Sequence, residues 1–495
     1  MVLKKVLSAL NTKRLMVLVL LLSLFAMSVR PITDPDFWWH LRTGQLIWET
    51  RSIPRHDVFS YTVSAHPWVT HEWLAEILMY GVYAISGQAG LIIAFALVIT
   101  GAFALLYLQC PGRPYLASFL VVWAAIASAV TWGVRPQMFS LLLSSITLYI
   151  LYLYHRRRRW VIWLLPPLMV IWANLHGSFF LGLVYPAVYL LGGVIDSGLR
   201  PQGEGARSWA DLRRLFVVTI LTAVAPVVNP NGVELLTYPF GTLGSSAMQA
   251  YIMEWFSPDF HLAQYQPFAA YILGLLLILA LSTRIPRATE LLLTIGFGYA
   301  SLRSARFIPY FTLAATPTLA SQLLNAWEQS SWSKRFRAHR SPRGRMGIVA
   351  NWLLLAVLAF GVVVFVGHTL RNNPKSQEET FPVAAADFLL KNNLTGNIYN
   401  LYHWGGYLIW RLYPEYKVFI DGRADVYGDT FIEEYLQVYQ LRGSWTAPLE
   451  SYGVRLILID PGSALSTVLG ESASWDRAYA DDEAVVYVKK DEANP

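Results

Sequence analysis

The stretch Asp34-Pro35-Asp36-Phe37-Trp38-Trp39-His40-Leu41-Arg42 holds two carboxylates, an imidazole and a guanidinium among aromatics. Carboxylates two residues apart on an extended segment face the same side. There they can take up a proton, or share a hard cation such as Mg²⁺ or Mn²⁺ through oxygen ligands. Arg and His are the side chains that neutralise a phosphate. The stretch begins just past the first long apolar run, at about 15–29, where a membrane helix meets water. Tryptophan is ordinary at that depth, whereas charges gathered beside a bilayer are costly and mark a site. The plainer reading is a polar cap that ends the first span.

Similar polar groups recur further along. Asp57 is a second carboxylate, equally suited to a turn. Arg135, Arg303 and Arg306 end apolar runs, the last two flanked by Ser301, Ser304 and Phe307. Each can fork onto phosphate oxygens, or snorkel towards lipid headgroups. His71 precedes Glu72, a residue that suits a helix N-terminus. His176, in Asn174-Leu175-His176-Gly177-Ser178, interrupts two apolar runs, with Gly177 for the bend. Asn229-Pro230-Asn231-Gly232 is a turn by composition.

The elements that must position these groups are membrane helices. The chain has 495 residues, 55% of them hydrophobic and 14% charged, with a mean hydropathy of +0.39. Soluble domains carry about a quarter charged residues, so this is a polytopic membrane protein. Apolar runs recur at about 15–29, 89–109, 115–133, 138–154, 160–174, 178–198, 214–228, 267–282, 288–302, 306–325 and 347–369, which predicts about eleven transmembrane helices. The net charge of +7 gathers in short clusters between these runs: Lys4, Lys5, Lys13 and Arg14; 156–159; Arg200, Arg207, Arg213 and Arg214; Arg284 and Arg287; and 334–345. That is a positive-inside pattern, not a stripe for nucleic acid. With the N-terminus cytoplasmic, every basic cluster falls inside and every polar motif outside, provided that 72–86 lies along the interface. The single cysteine, Cys110, excludes an internal disulfide.

From about 375 the chain turns soluble in character. Residues 381–392 read as an amphipathic helix, and 397–401, 417–421 and 454–460 as buried strands. The pairs 475–479 and 484–489 read as a final hairpin, with helical patterns at 405–412 and 430–439. This predicts a small α/β domain at 375–495, on the outer face, after a transmembrane module at 1–370 whose outer loop is 30–88. No internal repeat or low-complexity tract is visible.

The Asp36 pattern resembles the first outer loop of the oligosaccharyltransferase catalytic subunit, most closely the archaeal form. It continues in Ile53-Pro54-Arg55-His56-Asp57-Val58-Phe59-Ser60-Tyr61-Thr62, similar to that family's second acidic position followed by Phe and Tyr. Trp404-Gly405-Gly406-Tyr407 and Phe419-Ile420-Asp421-Gly422-Arg423 are faintly similar to its Trp-Trp-Asp-Tyr-Gly segment and downstream Asp. The tryptophan pair and its Asp are absent here, so a peptide acceptor is not implied. More broadly the chain resembles bacterial GT-C membrane glycosyltransferases. The resemblance implies a polyprenyl-phosphate-linked sugar donor, an acceptor of unknown class, and the bacterial inner or plasma membrane. It implies Asp36 and Asp57 as catalytic carboxylates, and His40, Arg42, His71, Arg135, His176, Arg303 and Arg306 against the donor. Asp34, Asp36, Asp57 and Glu254 would hold the divalent ion, Glu254 being in the place of a loop carboxylate of the oligosaccharyltransferase. Two competing readings are a flippase for a lipid-linked sugar and a catalytically silent GT-C assembly subunit. One-sided charges and the lack of a repeat weigh against the flippase.

Overall fold

The structure is a computed structural model that describes residues 10–330 and 345–490. Lys4, Lys5 and the basic residues at 334–343 lie outside the described residues. Every predicted apolar run is helical. The helices are α1 (Thr12–Ser28), α2 (Asp36–Thr50), α3 (Trp73–Gln109), α4 (Tyr115–Ser128), α5 (Gln137–His155), α6 (Leu165–Leu175), α7 (Leu181–Leu199) and α8 (Trp209–Val224). Two short helices, α9 (Tyr238–Gly244) and α10 (Ser246–Tyr251), precede α11 (Gln266–Leu281), α12 (Ala288–Arg303), α13 (Ile308–Gln329) and α14 (Arg345–Glu378).

Among the described residues, five helical segments are long and apolar enough to cross a membrane: Trp73–Gln109, Gln137–His155, Gly177–Leu199, Ala263–Leu281 and Gly347–Glu378. On α14, Val349, Leu353, Leu354, Val357, Phe360, Val363 and Val364 are all exposed. An apolar surface of that extent needs lipid around it, so the protein is integral to a membrane. At Gly87 the backbone of α3 leaves helical geometry (φ 62, ψ −161), which separates 73–86 from the spanning run that follows. Glycine adopts that φ without the clash a β-carbon would bring.

α5 shows how the two ends of the bundle differ. At its N-terminal end stand Arg135 and Pro136, among the other polar motifs. At its far end His155 lies with Arg207 and Asp211. Asp211 pairs there with Arg159 and Arg214, and Glu290 with Arg284 and Arg287. Nineteen helical residues span about 28 Å, so the basic groups around Arg159, Arg207, Arg214, Arg284 and Arg287 lie at the opposite end from Arg135.

The C-terminal domain is a four-stranded sheet of order β1-β2-β4-β3. β1 (Asn397–Asn400) runs parallel to β2 (Val454–Ile459). β3 (Trp475–Ala480) and β4 (Val485–Lys489) form the antiparallel hairpin, and β4 pairs with β2. Around the sheet lie α15 (Val383–Asn392), α16 (Gly405–Leu412), α17 (Ala424–Tyr439), α18 (Thr446–Ser451) and α19 (Ala464–Glu471).

One expected strand is absent from this sheet. Residues 417–421 pair instead with the outer loop of the membrane module: Val418 N–H donates to Phe59 O at 3.1 Å, and Tyr61 N–H to Val418 O at 3.3 Å. On the sheet side the Asn400 amide takes the place of a strand, accepting from Phe419 N–H at 2.9 Å and donating to Ile420 O at 2.8 Å. A buried apolar run reads as a strand whichever partner satisfies its backbone. Here the partner is the other module.

The two modules share one core. Trp38, 2% exposed, meets Phe381 and Tyr407 edge to face, with ring centroids 5.8 and 5.1 Å away. Gly406 permits the approach: a β-carbon on it would lie 2.4 Å from Pro35 O, while one on Gly405 would lie 2.1 Å from Ile420 O within the domain.

Candidate active site

A cavity of about 590 Å³ opens where the Arg135 end of the helical bundle meets the α/β domain, a size that suits a small organic ligand. Its wall includes Asp34, Asp36, His40, His71, Glu72, Arg135, His176, Glu254 and Arg306 from the membrane module, and Tyr402, Gly422 and Arg423 from the domain.

Asp36 is the first residue of α2, not part of an extended segment, and Asp34 acts as a cap: its Oδ1 accepts from Asp36 N–H at 3.0 Å. The pair therefore does not present a shared face. Asp36 Oδ1 accepts from Trp39 Nε1–H at 3.0 Å. Burial, and then the neighbouring charge of Asp34, push the Asp36 carboxyl up to about 8.

Arg135 lies in the loop between α4 and α5, and Gly133 in the same loop lets the backbone sit against Asp34. Its Nη1 stands 3.2 Å from Asp34 Oδ2 and also contacts Glu254 Oε1. Arg135 Nε is buried and has no hydrogen-bond partner. Glu254 occupies a short turn fixed from two sides: Ser304 Oγ donates to its carbonyl at 2.8 Å, and the Arg306 guanidinium sits 4.6 Å over the Trp255 ring. Burial opposes its charge, yet Arg135 and Arg306 hold the carboxyl below its ordinary range.

Beside this lies a group the motif reading missed. Glu72 is surrounded by three imidazoles: His40 Nε2 at 3.3 Å, His71 Nε2 at 3.4 Å and His176 Nε2 at 3.4 Å. His176 Nδ1 accepts from Ser178 N–H at 3.0 Å, so its Nε2 carries the hydrogen towards Glu72. Burial lowers His176 to about 4 and His40 to about 3, and both are neutral at pH 7. Burial also opposes charge on Glu72, but the imidazoles hold its carboxyl well below the usual range. His71 is raised: burial opposes its charge, and Glu72 outweighs that. His40 Nδ1 faces Glu76 Oε1 at 3.2 Å. The signal was present in the spacing. Asp36 and His40, like Glu72 and Glu76, are four apart, which places each pair on one helix face.

The remaining predicted residues divide plainly. Arg306 lines the cavity. Arg303 is exposed and donates to Gln249 Oε1 at 3.2 Å, outside it. Arg42 also lies outside, donating to Tyr413 O at 2.9 Å and stacking on that ring. Asp57, 3% exposed, does not line the cavity. It accepts from Phe59 and Ser60 N–H at 3.2 and 2.9 Å, and pairs with Arg423 Nη1 at 2.7 Å. Arg423 also forks onto Asp421, through Nε at 2.8 Å and Nη2 at 2.7 Å, and lies over the Phe59 and Trp68 rings. Asn174 and Asn229 form a clasp: Trp73 Nε1–H and Asn229 Nδ2–H donate to Asn174 Oδ1 at 2.8 and 3.0 Å.

Of the four carboxylates expected to ligate a cation, three are engaged by arginine, Asp34 and Glu254 by Arg135 and Asp57 by Arg423, while Asp36 accepts from Trp39. Among the described residues, ligand atoms of His40, Glu72 and Glu76 lie within 4.8 Å of one another, a group that could hold a metal ion. The two glutamates face opposite ring nitrogens of His40.

No protein-family model matches the sequence, and no curated protein does. Solved structures do match in fold. ArnT from Cupriavidus metallidurans, bound to undecaprenyl phosphate, matches at 15% identity with a TM-score of 0.50, over 96% of this chain and 97% of that one. The archaeal oligosaccharyltransferase AglB from Archaeoglobus fulgidus, with an inhibitory peptide and a dolichol-phosphate, matches at 11% identity and a TM-score of 0.55, over 90% and 69%. The oligosaccharyltransferase of that organism in complex with Zn and sulfate matches at 12% identity and a TM-score of 0.52, over 96% and 73%. The chain therefore has the GT-C fold of the membrane glycosyltransferases.

Proposed function

We propose that this protein is a glycosyltransferase that takes a sugar from a polyprenyl-phosphate donor and passes it to an acceptor hydroxyl or amide at the outer face of the membrane. The observation that carries this reading is Asp36. It is a half-buried carboxyl with raised proton affinity, on the wall of a cavity that also presents Arg306, His71 and His176. In this reaction the bond from the anomeric carbon to the phosphate oxygen breaks, and a bond from that carbon to the acceptor atom forms. The acceptor proton passes to Asp36, and polyprenyl phosphate leaves with the electron pair. A base works best with a pKa near the operating pH, and burial brings Asp36 there. Arg306 and His71 are donors for the leaving phosphate oxygens, and Arg135 adds positive charge to the same wall. Asp57 supports the wall through Arg423.

The reading extends to topology. The N-terminus is cytoplasmic, the polar motifs face outward, and the membrane is a bacterial inner or plasma membrane. Residues 1–370 form the membrane module with its catalytic outer loop at 30–88, and 375–495 the outer domain. The segregation of basic clusters from polar motifs along α5 supports this.

The test is sugar transfer by purified, detergent-solubilised protein from a pool of radiolabelled polyprenyl-phosphate sugars, wild type beside Asp36→Asn. Turnover that collapses in the variant is expected. Equal turnover in both would remove Asp36 from the chemistry. Donor binding without transfer by the wild type would favour the flippase or silent-subunit reading.

A further inference from the structure

We propose that Arg135 occupies the place of a divalent cation in this site, so that the carboxylates around it hold a covalently fixed positive charge and no exchangeable metal. The inference rests on the reading of the cavity as a seat of phosphate-leaving chemistry.

Asp34 and Glu254 come from different outer loops and converge on a single atom, Arg135 Nη1. A hard cation bridging two loops would be held by that same pair of oxygens. The guanidinium is 8% exposed and stays charged under all ordinary conditions. A metal ion between those oxygens would have to displace it or meet its charge at contact distance.

Two further carboxylate oxygens also have protein partners. Asp34 Oδ1 accepts from Asp36 N–H, and Asp36 Oδ1 from Trp39 Nε1–H, each at 3.0 Å. Ligand atoms of Asp34, Asp36 and Glu254 do not form a mutually close set. The group that does so among the described residues is His40, Glu72 and Glu76. The carboxylates are thus spaced around a guanidinium, not around an ion with bonds near 2 Å.

Arg135 also lines the cavity, so a fixed positive charge stands at its wall where a bridging metal would place one.

The test is Mn²⁺ binding by the full-length protein in detergent, read from the loss of the free-ion electron paramagnetic resonance signal. It requires no turnover, so its failure and that of the glycosyl-transfer reading are distinguishable. The quantity compared is the Mn²⁺ lost on Glu254→Gln, which discounts any ion held by His40, Glu72 and Glu76. With Arg135 present, that loss is expected to be nil. In an Arg135→Met background it is expected to be one ion per chain, and Arg135→Lys, which keeps the charge, behaves like wild type. A Glu254-dependent ion in the wild-type protein overturns the proposal. So does a monodisperse Arg135→Met protein that gains none. Should Arg135→Met aggregate, Arg135→Gln takes its place, and the wild-type arm still decides.

Discussion

Gly422 and Asp36 belong to different modules, yet a β-carbon on the glycine would lie 1.8 Å from Asp36 Oδ1. The segment that carries Gly422 also carries Asp421 and Arg423, whose ion pairs hold it in place. The α/β domain is thereby a wall of the cavity, and the surroundings of Asp36 depend on how it is seated.

Gly422→Ala accordingly forces either Asp36 or the 419–423 segment to move. Overpacking of this kind costs about 1–3 kcal/mol. We expect a lower thermal unfolding temperature and at least about tenfold slower transfer, since misplaced reacting groups lose rate steeply. Thermal melting and transfer assays on the same preparation check both.

The raised proton affinity of Asp36 gives transfer a pH signature. Below about 8 the carboxyl is protonated and cannot accept a proton; above it the base form is present. The rate is expected to rise as pH increases through that range and to be low and flat in Asp36→Asn. The charge of Asp34 contributes to the upward shift, so Asp34→Asn moves the rising limb to lower pH. Initial rates between pH 6 and 9.5, roughly the range over which such a limb is resolved, check this.

Asp57 and Arg423 form a buried pair, with side chains 0% and 1% exposed. Removing Asp57 leaves Arg423 with Asp421 alone, so the cost stays below the roughly 3–5 kcal/mol of a fully stranded buried charge. Asp57→Asn is expected to lower the unfolding temperature, with the donor KM of the folded fraction unchanged because Asp57 does not face the cavity. A raised KM without loss of stability would place Asp57 in donor binding instead.

Arg303 and Arg306 offer a paired comparison. Arg306 lines the cavity, whereas Arg303 is exposed outside it. A charged hydrogen bond contributes about 1.5–3 kcal/mol, so Arg306→Ala is expected to raise the donor KM roughly 10- to 100-fold. Arg303→Ala is expected to leave it unchanged. Steady-state kinetics against donor concentration, with the folded fraction measured by size exclusion, check the contrast.

Much of this was legible in the chain itself. Apolar runs of spanning length must be helical in lipid, because no water is present to satisfy their backbone groups. The Asp36 stretch, His71, His176, Arg135 and Arg306 stood out because polar groups at the ends of such runs are costly to keep. The four-residue spacing of Glu72 and Glu76 was also present in the chain, but Glu72 passed for a helix-start residue. In the domain, period-two alternation was enough to place the final hairpin.

What only the tertiary structure decided is which groups meet. Asp34 and Asp36 looked like a shared cation site, and Asp57 like a second catalytic carboxylate. Folding instead brought Arg135 to Asp34 and Glu254, and Arg423 to Asp57. Residues 417–421 looked like a strand of the domain sheet and found their backbone partners in the outer loop. The physical reason is common to all of these. Local pattern dictates helix, strand and facing, which depend on near neighbours, whereas ion pairs and sheet partners join residues that are distant in the chain. Their identity depends on which surfaces pack, and Gly406 and Gly422 are where that packing brings the two modules into contact.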